Sequence, residues 1–111
     1  MSSMARDVRE GTVTIASAGT ESEAFEVGDS VKGSYFLPAT WNGVELKIQV
    51  SNDGATWIDA KDLTNTDIDP LVVVLSDYFL IPTEVFSFKW ARIKATTEQS
   101  ADTVIPFIVT G

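Results

Sequence analysis

The residues of this 111-residue chain that could do chemistry are mainly carboxylates, because it has sixteen Asp and Glu but no His or Cys. Without His or Cys, the commonest general base, the commonest transition-metal ligand and every thiolate mechanism are excluded. Ser and Thr are plentiful, but the usual nucleophilic triads cannot be assembled from them. A glycosidase needs two facing carboxylates, whereas most Asp and Glu here fall in predicted turns or on outward strand positions. The sequence therefore predicts that the chain is not an enzyme.

The best candidate for a metal site is the oxygen-rich segment Asn65-Thr66-Asp67-Ile68-Asp69, whose alternate side chains could bind Ca²⁺. The segment lacks the glycine and the distal glutamate of an EF-hand loop. An Asx-rich turn explains the same residues without a ligand. We therefore expect no metal and no cofactor; Asp67 and Asp69 are the ligands to test.

The charge and hydropathy of the chain exclude several classes of partner. A net charge of −8 argues against nucleic acid, which needs a patch of Lys and Arg. Lys89, Arg92 and Lys94 come nearest to such a patch, and a solvated strand face is the favoured interpretation. No apolar run approaches the ~20 residues of a membrane helix, and the N-terminus lacks the apolar core of a signal peptide. We expect no nucleic-acid or membrane partner, and synthesis in the cytoplasm without secretion.

The elements that carry these residues are predicted to be strands. Residues 44–50 alternate apolar and polar without a break, Asn52-Asp53-Gly54 is a turn signal, and residues 57–60 return, so this unit is a β-hairpin. Further strands are predicted at residues 12–16, 24–27, 32–37, 71–75, 78–81, 89–96 and 103–110. Pro106, inside the last of these, predicts an edge position or a bulge. Residues 83–88 are expected to form a short helical turn or loop.

Eight or nine short strands with turn signals between them predict an all-β fold, an antiparallel β-sandwich of the jelly-roll type. The chain has room for only one core. We expect a flexible N-terminal arm at residues 1–10 and a single β-sandwich domain at residues 11–111. Trp41 is predicted to cover the open end of the core. The core residues predicted from period-2 placement are Val13, Ile15, Leu46, Ile48, Val50 and Ile93.

An interface is predicted next to an apolar run that shows no alternation, residues 71–75. A strand of this kind needs cover on both faces, from the second sheet and from a loop or a neighbouring subunit. Several aromatic residues follow it and could join it in one exposed patch, the usual sign of protein–protein contact. A small core can also absorb these aromatics, and both interpretations stay open. The candidate interface residues are Leu71, Val73, Leu75, Tyr78, Phe79, Phe86 and Phe88.

Three segments of the sequence resemble a group of small virion proteins of tailed phages: LPATWNGVELKIQVSNDGATW, FSFKWARIKAT and TVIPFIVTG. The shared pattern is a Pro-x-x-Trp loop, an alternating strand ending in Ser-x-Asp-Gly, a strand of the type aromatic-x-Arg/Lys-Ile-Lys/Arg, and a short terminal strand. The resemblance spans about residues 11–110, and its motifs are structural, so no functional residue is carried over. The matching positions are Pro38, Trp41, Leu46, Gln49, Ser51, Asp53, Gly54, Trp57, Arg92, Ile93 and Lys94.

The resemblance implies a capsid decoration or cement subunit that is located in the virion. Such a subunit self-associates, as a trimer by analogy, and binds the major capsid protein or other virion proteins. The strand-to-turn pattern also resembles carbohydrate-binding and discoidin-like sandwiches. One alternative is therefore a carbohydrate-binding module that displays Trp41, Trp57 and Trp90 on one face. A tail- or fibre-associated protein is a further alternative.

Overall fold

A computed structural model of the chain describes residues 8–43, 45–61, 71–72 and 75–111. Within these residues the chain forms nine strands and one short 3-10 helix. The strands are β1 Val8–Ile15, β2 Phe25–Glu26, β3 Lys32–Leu37, β4 Glu45–Ser51, β5 Ile58–Asp59, β6 Leu71–Val72, β7 Asp77–Leu80, β8 Trp90–Ala95 and β9 Thr103–Thr110, and the 3-10 helix is Thr83–Ser87.

The strands form two antiparallel sheets. Sheet A has the order β1-β9-β3-β7, and sheet B has the order β2-β8-β4-β5, with β6 also pairing with β4. Strands β5 and β6 pair with opposite ends of β4, at residues 49–50 and 45–46 respectively. The first four strands alternate between the sheets, and the first and last strands pair side by side. This topology confirms the predicted antiparallel β-sandwich of the jelly-roll type.

The core lies between the inner faces of the two sheets. All six predicted core residues are buried: Val13, Ile15, Leu46, Ile48, Val50 and Ile93. Two aromatic pairs extend this core, with ring centroids 4.5 Å apart for Phe25 and Phe107 and 5.6 Å apart for Tyr35 and Phe79. Period-2 alternation was sufficient to identify these residues because each strand has one face against the other sheet.

One end of the core is closed by Trp41, which is 3% exposed, so the prediction that it is buried is confirmed. A polar side chain beside it, Gln99, joins two loops. Its amide oxygen accepts a hydrogen bond from the Asn42 amide, and its amide nitrogen donates to the Asn42 carbonyl, both at 2.9 Å. The Thr103 hydroxyl donates to the same Gln99 oxygen. This buried network holds the loop that carries Trp41 against the loop before β9.

One prediction about the ends of the strands was wrong, and the prediction that Pro106 marks an edge position holds only locally. Strand β1 begins at Val8 and pairs with β9 from the start, so residues 8–10 are not part of a free arm. Pro106 lies in β9, an inner strand, and its one-to-one register with Thr12 shows no bulge. The last pair between β3 and β9 is Tyr35 with Phe107, so Pro106, the next residue along β9, has no partner on β3. A missing N–H is tolerated at this point because the ladder with β3 has stopped.

Candidate functional site

In the part of sheet A that the structure describes, the outer face carries seven apolar side chains, most of them adjacent to one another. Tyr78 is 72% exposed and Leu80 is 83% exposed, which is unusual for large apolar side chains on a folded protein. Within the described residues, the apolar side chains at outward positions of this sheet are Val8, Phe36, Tyr78, Leu80, Val104, Pro106 and Ile108. We call these seven residues the apolar face.

Strand register fixes how these side chains are arranged. Phe36 and Tyr78 are cross-strand partners, and their rings meet edge to face at 4.9 Å. A groove beside them is lined by residues that include Phe36, Tyr78, Pro106 and Ile108. The charged residues at outward positions of this face are Glu10 on β1 and Lys32 on β3, both exposed. The face is therefore broad and apolar at about half of its outward positions, and the two formal charges among its described residues cancel.

The edge of sheet A at β7 offers little backbone for pairing. The Ile81 amide donates to Gly33 on β3, so by alternation the amides of Tyr78 and Leu80 point away from β3. The Tyr78 amide is already bonded to the Asp77 carboxylate at 2.8 Å. Pro82, which has no N–H, follows directly. Another protein would therefore contact the apolar side chains of this sheet more readily than its edge.

The structure does not bring all the predicted interface residues onto one exposed surface. Leu71 lies in β6 of sheet B, opposite Leu46, while Tyr78 lies in β7 of sheet A. Leu75 and Tyr78 are exposed, at 42% and 72%. Phe79 stacks on Tyr35, and Phe79, Phe86 and Phe88 are partly buried against the core. Val73 lies outside the described residues, and whether this set forms an interface stays a prediction.

The sequence analysis missed most of the apolar face, although one signal for it was present. Residues 104–109 are apolar at every position, so both faces of β9 are apolar. Its inward residues, Ile105 and Val109, are buried, and its outward Val104 is 47% exposed. A strand of this composition between two neighbours indicates that the outer face of its sheet is also apolar.

The outer face of sheet B is polar and internally bonded. Arg92 donates from Nε to the Gln49 side-chain oxygen at 2.8 Å, and a second guanidinium nitrogen lies 2.6 Å from Glu21. The guanidinium also stacks 4.5 Å from the ring centre of Trp57. The Gln49 amide nitrogen donates to Asp59 at 3.0 Å. We call this set the Arg92 network; Lys47, which donates to Asp59 at 3.1 Å, completes it.

The perturbed pKa values of the described residues all move away from neutrality. The hydrogen bond from Gln49, followed by the bond from Lys47, holds the pKa of Asp59 below its usual value despite partial desolvation. Hydrogen bonds from the backbone amides of Thr56 and Ala55 lower the pKa of Asp53 far below its usual range. Burial raises the pKa of Tyr35. None of these groups therefore becomes a proton donor or acceptor poised for catalysis at neutral pH.

Three further sequence predictions concern metals, membranes and tryptophans. Among the described residues, no group of three acidic, His or Cys side chains could hold a metal ion, and the candidates Asp67 and Asp69 lie outside those residues. The described part of the chain has no helix long and apolar enough to cross a membrane. Trp41 is buried, so it cannot share an exposed face with Trp57 and Trp90.

Comparison with known proteins identifies the fold. No family model and no curated protein matches the sequence. Among solved structures, the chain is similar to the SPBc2 prophage-derived protein YomS, with a TM-score of 0.58 over 95% of this chain and 96% of that chain. The two sequences are 16% identical, so the likeness is one of fold.

Proposed function

We propose that the chain is a structural subunit of a tailed-phage particle, and specifically a capsid decoration or cement protein that self-associates and binds the shell. The observation that carries this proposal is the apolar face, where Tyr78 and Leu80 are largely exposed in the isolated chain. Apolar surface of this kind usually becomes buried against another protein. A subunit that covers it by assembly needs no catalytic residues.

Other observations support the same function. The fold is shared with a prophage-derived protein, and three segments of the sequence resemble small virion proteins. The sequence contains neither His nor Cys, in agreement with a non-catalytic role in the virion. The partners proposed are a second copy of the chain and the major capsid protein, after synthesis in the host cytoplasm.

The test is binding to phage shells. The purified chain is mixed with empty shells of the phage that encodes it, and the shells are pelleted. Co-sedimentation at saturating stoichiometry, with gold-labelled antibody on the shell surface of intact particles, is the expected result. Label confined to the tail would instead assign the tail- or fibre-associated role. An absence of both label and co-sedimentation would rule out a virion function.

A second candidate function is carbohydrate binding, favoured by the aromatic and polar groups on the outer face of sheet B. Trp57 lies beside Arg92, and Trp90 occupies an outward position of the same strand, β8. Aromatic rings with adjacent planar hydrogen-bonding groups are suited to sugars. Glycan-array binding by the wild-type chain that is lost in Trp57→Ala, together with failure to bind shells, would replace the virion proposal with this one.

A further inference from the structure

We propose that the apolar face is covered by a second copy of the chain, related to the first by a two-fold axis in the plane of the face. The axis passes between Phe36 and Tyr78 and between Glu10 and Lys32. This inference rests on the proposed function only in treating the apolar face as an assembly surface. It adds the partner, the symmetry and the pairs of residues in contact.

The register of sheet A places the outward side chains on a regular grid. Val8, Thr110 and Lys32 form one row across β1, β9 and β3. The next row contains Glu10, Ile108, Ser34 and Leu80, and includes the edge strand β7. The next row contains the pair Phe36 and Tyr78, and Pro106 lines the same groove as these two residues. Neighbouring strands are about 4.8 Å apart and successive rows about 6.8 Å apart.

On this grid, one axis satisfies the charges and the aromatic rings together. A two-fold axis that lies in the plane of the face and exchanges Glu10 with Lys32 must cross the line between them at a right angle. The crossing point is the midpoint of that line, which lies near β9. Continued across the face, the same axis passes between Phe36 and Tyr78 and exchanges them. It also brings Pro106 over Leu80 of the second copy. Pairing on this axis therefore places opposite charges together and brings two apolar pairs together, Phe36 with Tyr78 and Pro106 with Leu80.

Electrostatics favours a second copy as the occupant of this face. The chain carries a net charge of −8, so two copies repel each other through most of their surfaces. The outer face of sheet A is the exception, because the charges of Glu10 and Lys32, the charged residues at its described outward positions, cancel. Across the axis, each Glu10 meets Lys32 of the second copy in two equivalent ion pairs, which fix the orientation of the dimer.

The size of the face predicts a reversible dimer. Four strands cover roughly 19 Å by 24 Å, or about 450 Å² per copy, from standard strand dimensions. Since two crossed sheets do not overlap completely, the buried total is at most about 900 Å², below the ~1,000 Å² expected of a stable interface. The strands of the two copies would cross at about 70°, close to the orthogonal class of sheet packing. A two-fold dimer also differs from the trimer that the resemblance implies.

The first experiment measures mass against concentration by analytical ultracentrifugation. Wild-type protein is expected to shift from one chain of 12.1 kDa to twice that mass as concentration rises. Leu80→Glu should weaken pairing at least 100-fold, because it places two buried charges opposite apolar groups. The matched control is Val31→Glu, since Val31 is 64% exposed but lies before β3 and off the apolar face. Circular dichroism confirms that each variant is folded.

The second experiment tests the axis by charge exchange. Glu10→Lys and Lys32→Glu should each weaken pairing about tenfold, because each creates like-charge contacts. The double variant restores opposite charges across the same axis and should recover wild-type pairing. If both single variants pair normally, or the double variant remains as weak as either single one, this axis is wrong.

A third experiment exploits the absence of Cys in the chain. Ser34 lies about 2 Å from the proposed axis on the grid of strand spacings. Ser34→Cys should therefore join two copies through a short bis-maleimide. Ala55→Cys, in the exposed turn after β4, should not. A monomeric wild-type chain that binds shells overturns this inference and the self-association in the proposed function, and leaves the shell-binding role standing. A dimer that does not bind shells would support this inference and overturn the proposed function.

Discussion

Arg92 and Gln49 are directly opposite each other in the β8–β4 pair, and the Arg92 Nε–H donates a 2.8 Å hydrogen bond to the Gln49 amide oxygen. Gln49 is only 8% exposed, so water cannot easily replace that bond. Asp59, opposite Gln49 on the other side of β4, accepts the next hydrogen bond. The outer face of sheet B is thus stabilised by a chain of bonds that runs across three strands.

We predict that Arg92→Ala lowers the free energy of unfolding by about 2–4 kcal/mol. It removes the charged hydrogen bond to Gln49, worth about 1.5–3 kcal/mol, and leaves the Gln49 oxygen unpaired, whereas the exposed pair with Glu21 contributes little. The Trp57 stack adds about 0.5–1 kcal/mol. Urea denaturation gives the measurement, with Lys94→Ala, on the same face of β8, as the control. Equal losses in both variants would show that the network does not stabilise the fold.

Gly33→Ala should be more damaging than its small size suggests. A Cβ at this position would stand 2.7 Å from the Ile108 carbonyl oxygen and 2.8 Å from Val109 Cγ1. The main-chain atom cannot move without opening the β3–β9 pair, so we expect a loss of roughly 1–3 kcal/mol, as in overpacked cores.

The control for Gly33 is Gly28→Ala, where a Cβ would be in ordinary contact, 3.5 Å from Lys89 Cα. At this position a methyl group fits, and a change within about 0.5 kcal/mol is expected. Thermal melts of both variants check the pair. A Gly33→Ala protein that melts with the wild type would mean that β3 and β9 can separate at little cost.

Much of the fold could be predicted from local patterns. The bounds of β3 and β9 are those predicted, because each strand is delimited by turn residues. Pro106 lies at a local edge of an inner strand, which the sequence could not show because it depends on where another strand, β3, stops pairing. That end point is a property of the tertiary structure and leaves no local signal.

The surfaces were harder to predict than the core. Alternation shows which residues share a side of a strand, but not whether an apolar outer side remains exposed. Gln49 and Asp59 are ten residues apart, and Arg92 is a further thirty-three away, so the Arg92 network depends on strand register. Three residues of the network, Gln49, Trp57 and Arg92, matched the resemblance, which marked them without giving their contacts.

Removal of divalent metal ions is expected to leave the melting temperature unchanged. The reason is chemical: segment 65–69 offers side-chain oxygens but lacks the glycine and distal glutamate of a Ca²⁺ loop. Calorimetry with and without EDTA is the measurement. A drop of many degrees on chelation, reversed by Ca²⁺ and abolished in Asp67→Asn, would identify a bound cation.

Acid should destabilise the protein partly through Asp53. In the turn after β4, its carboxylate accepts hydrogen bonds from the amides of Ala55 at 2.8 Å and Thr56 at 2.7 Å, and from the Ser51 hydroxyl at 2.9 Å. These bonds favour the ionised form, so the pKa of Asp53 is lower in the folded than in the unfolded chain. Below the unfolded pKa of about 3.9, the unfolded state binds the extra proton first. The stabilisation is therefore complete above that pH and is lost as pH falls towards the folded pKa.

Asp53→Asn is expected to be less stable than the wild type at pH 7 and to depend less on pH between about 5 and 2, because this range contains the unfolded pKa of about 3.9. The variant keeps a side-chain oxygen for the turn but has no proton to gain. Asp29→Asn, at an exposed site in the loop after β2, controls for the loss of one negative charge. Urea unfolding at several pH values gives the comparison. If Asp53→Asn and wild type lose stability in parallel as the pH falls, the turn bonds do not couple the protonation of Asp53 to folding.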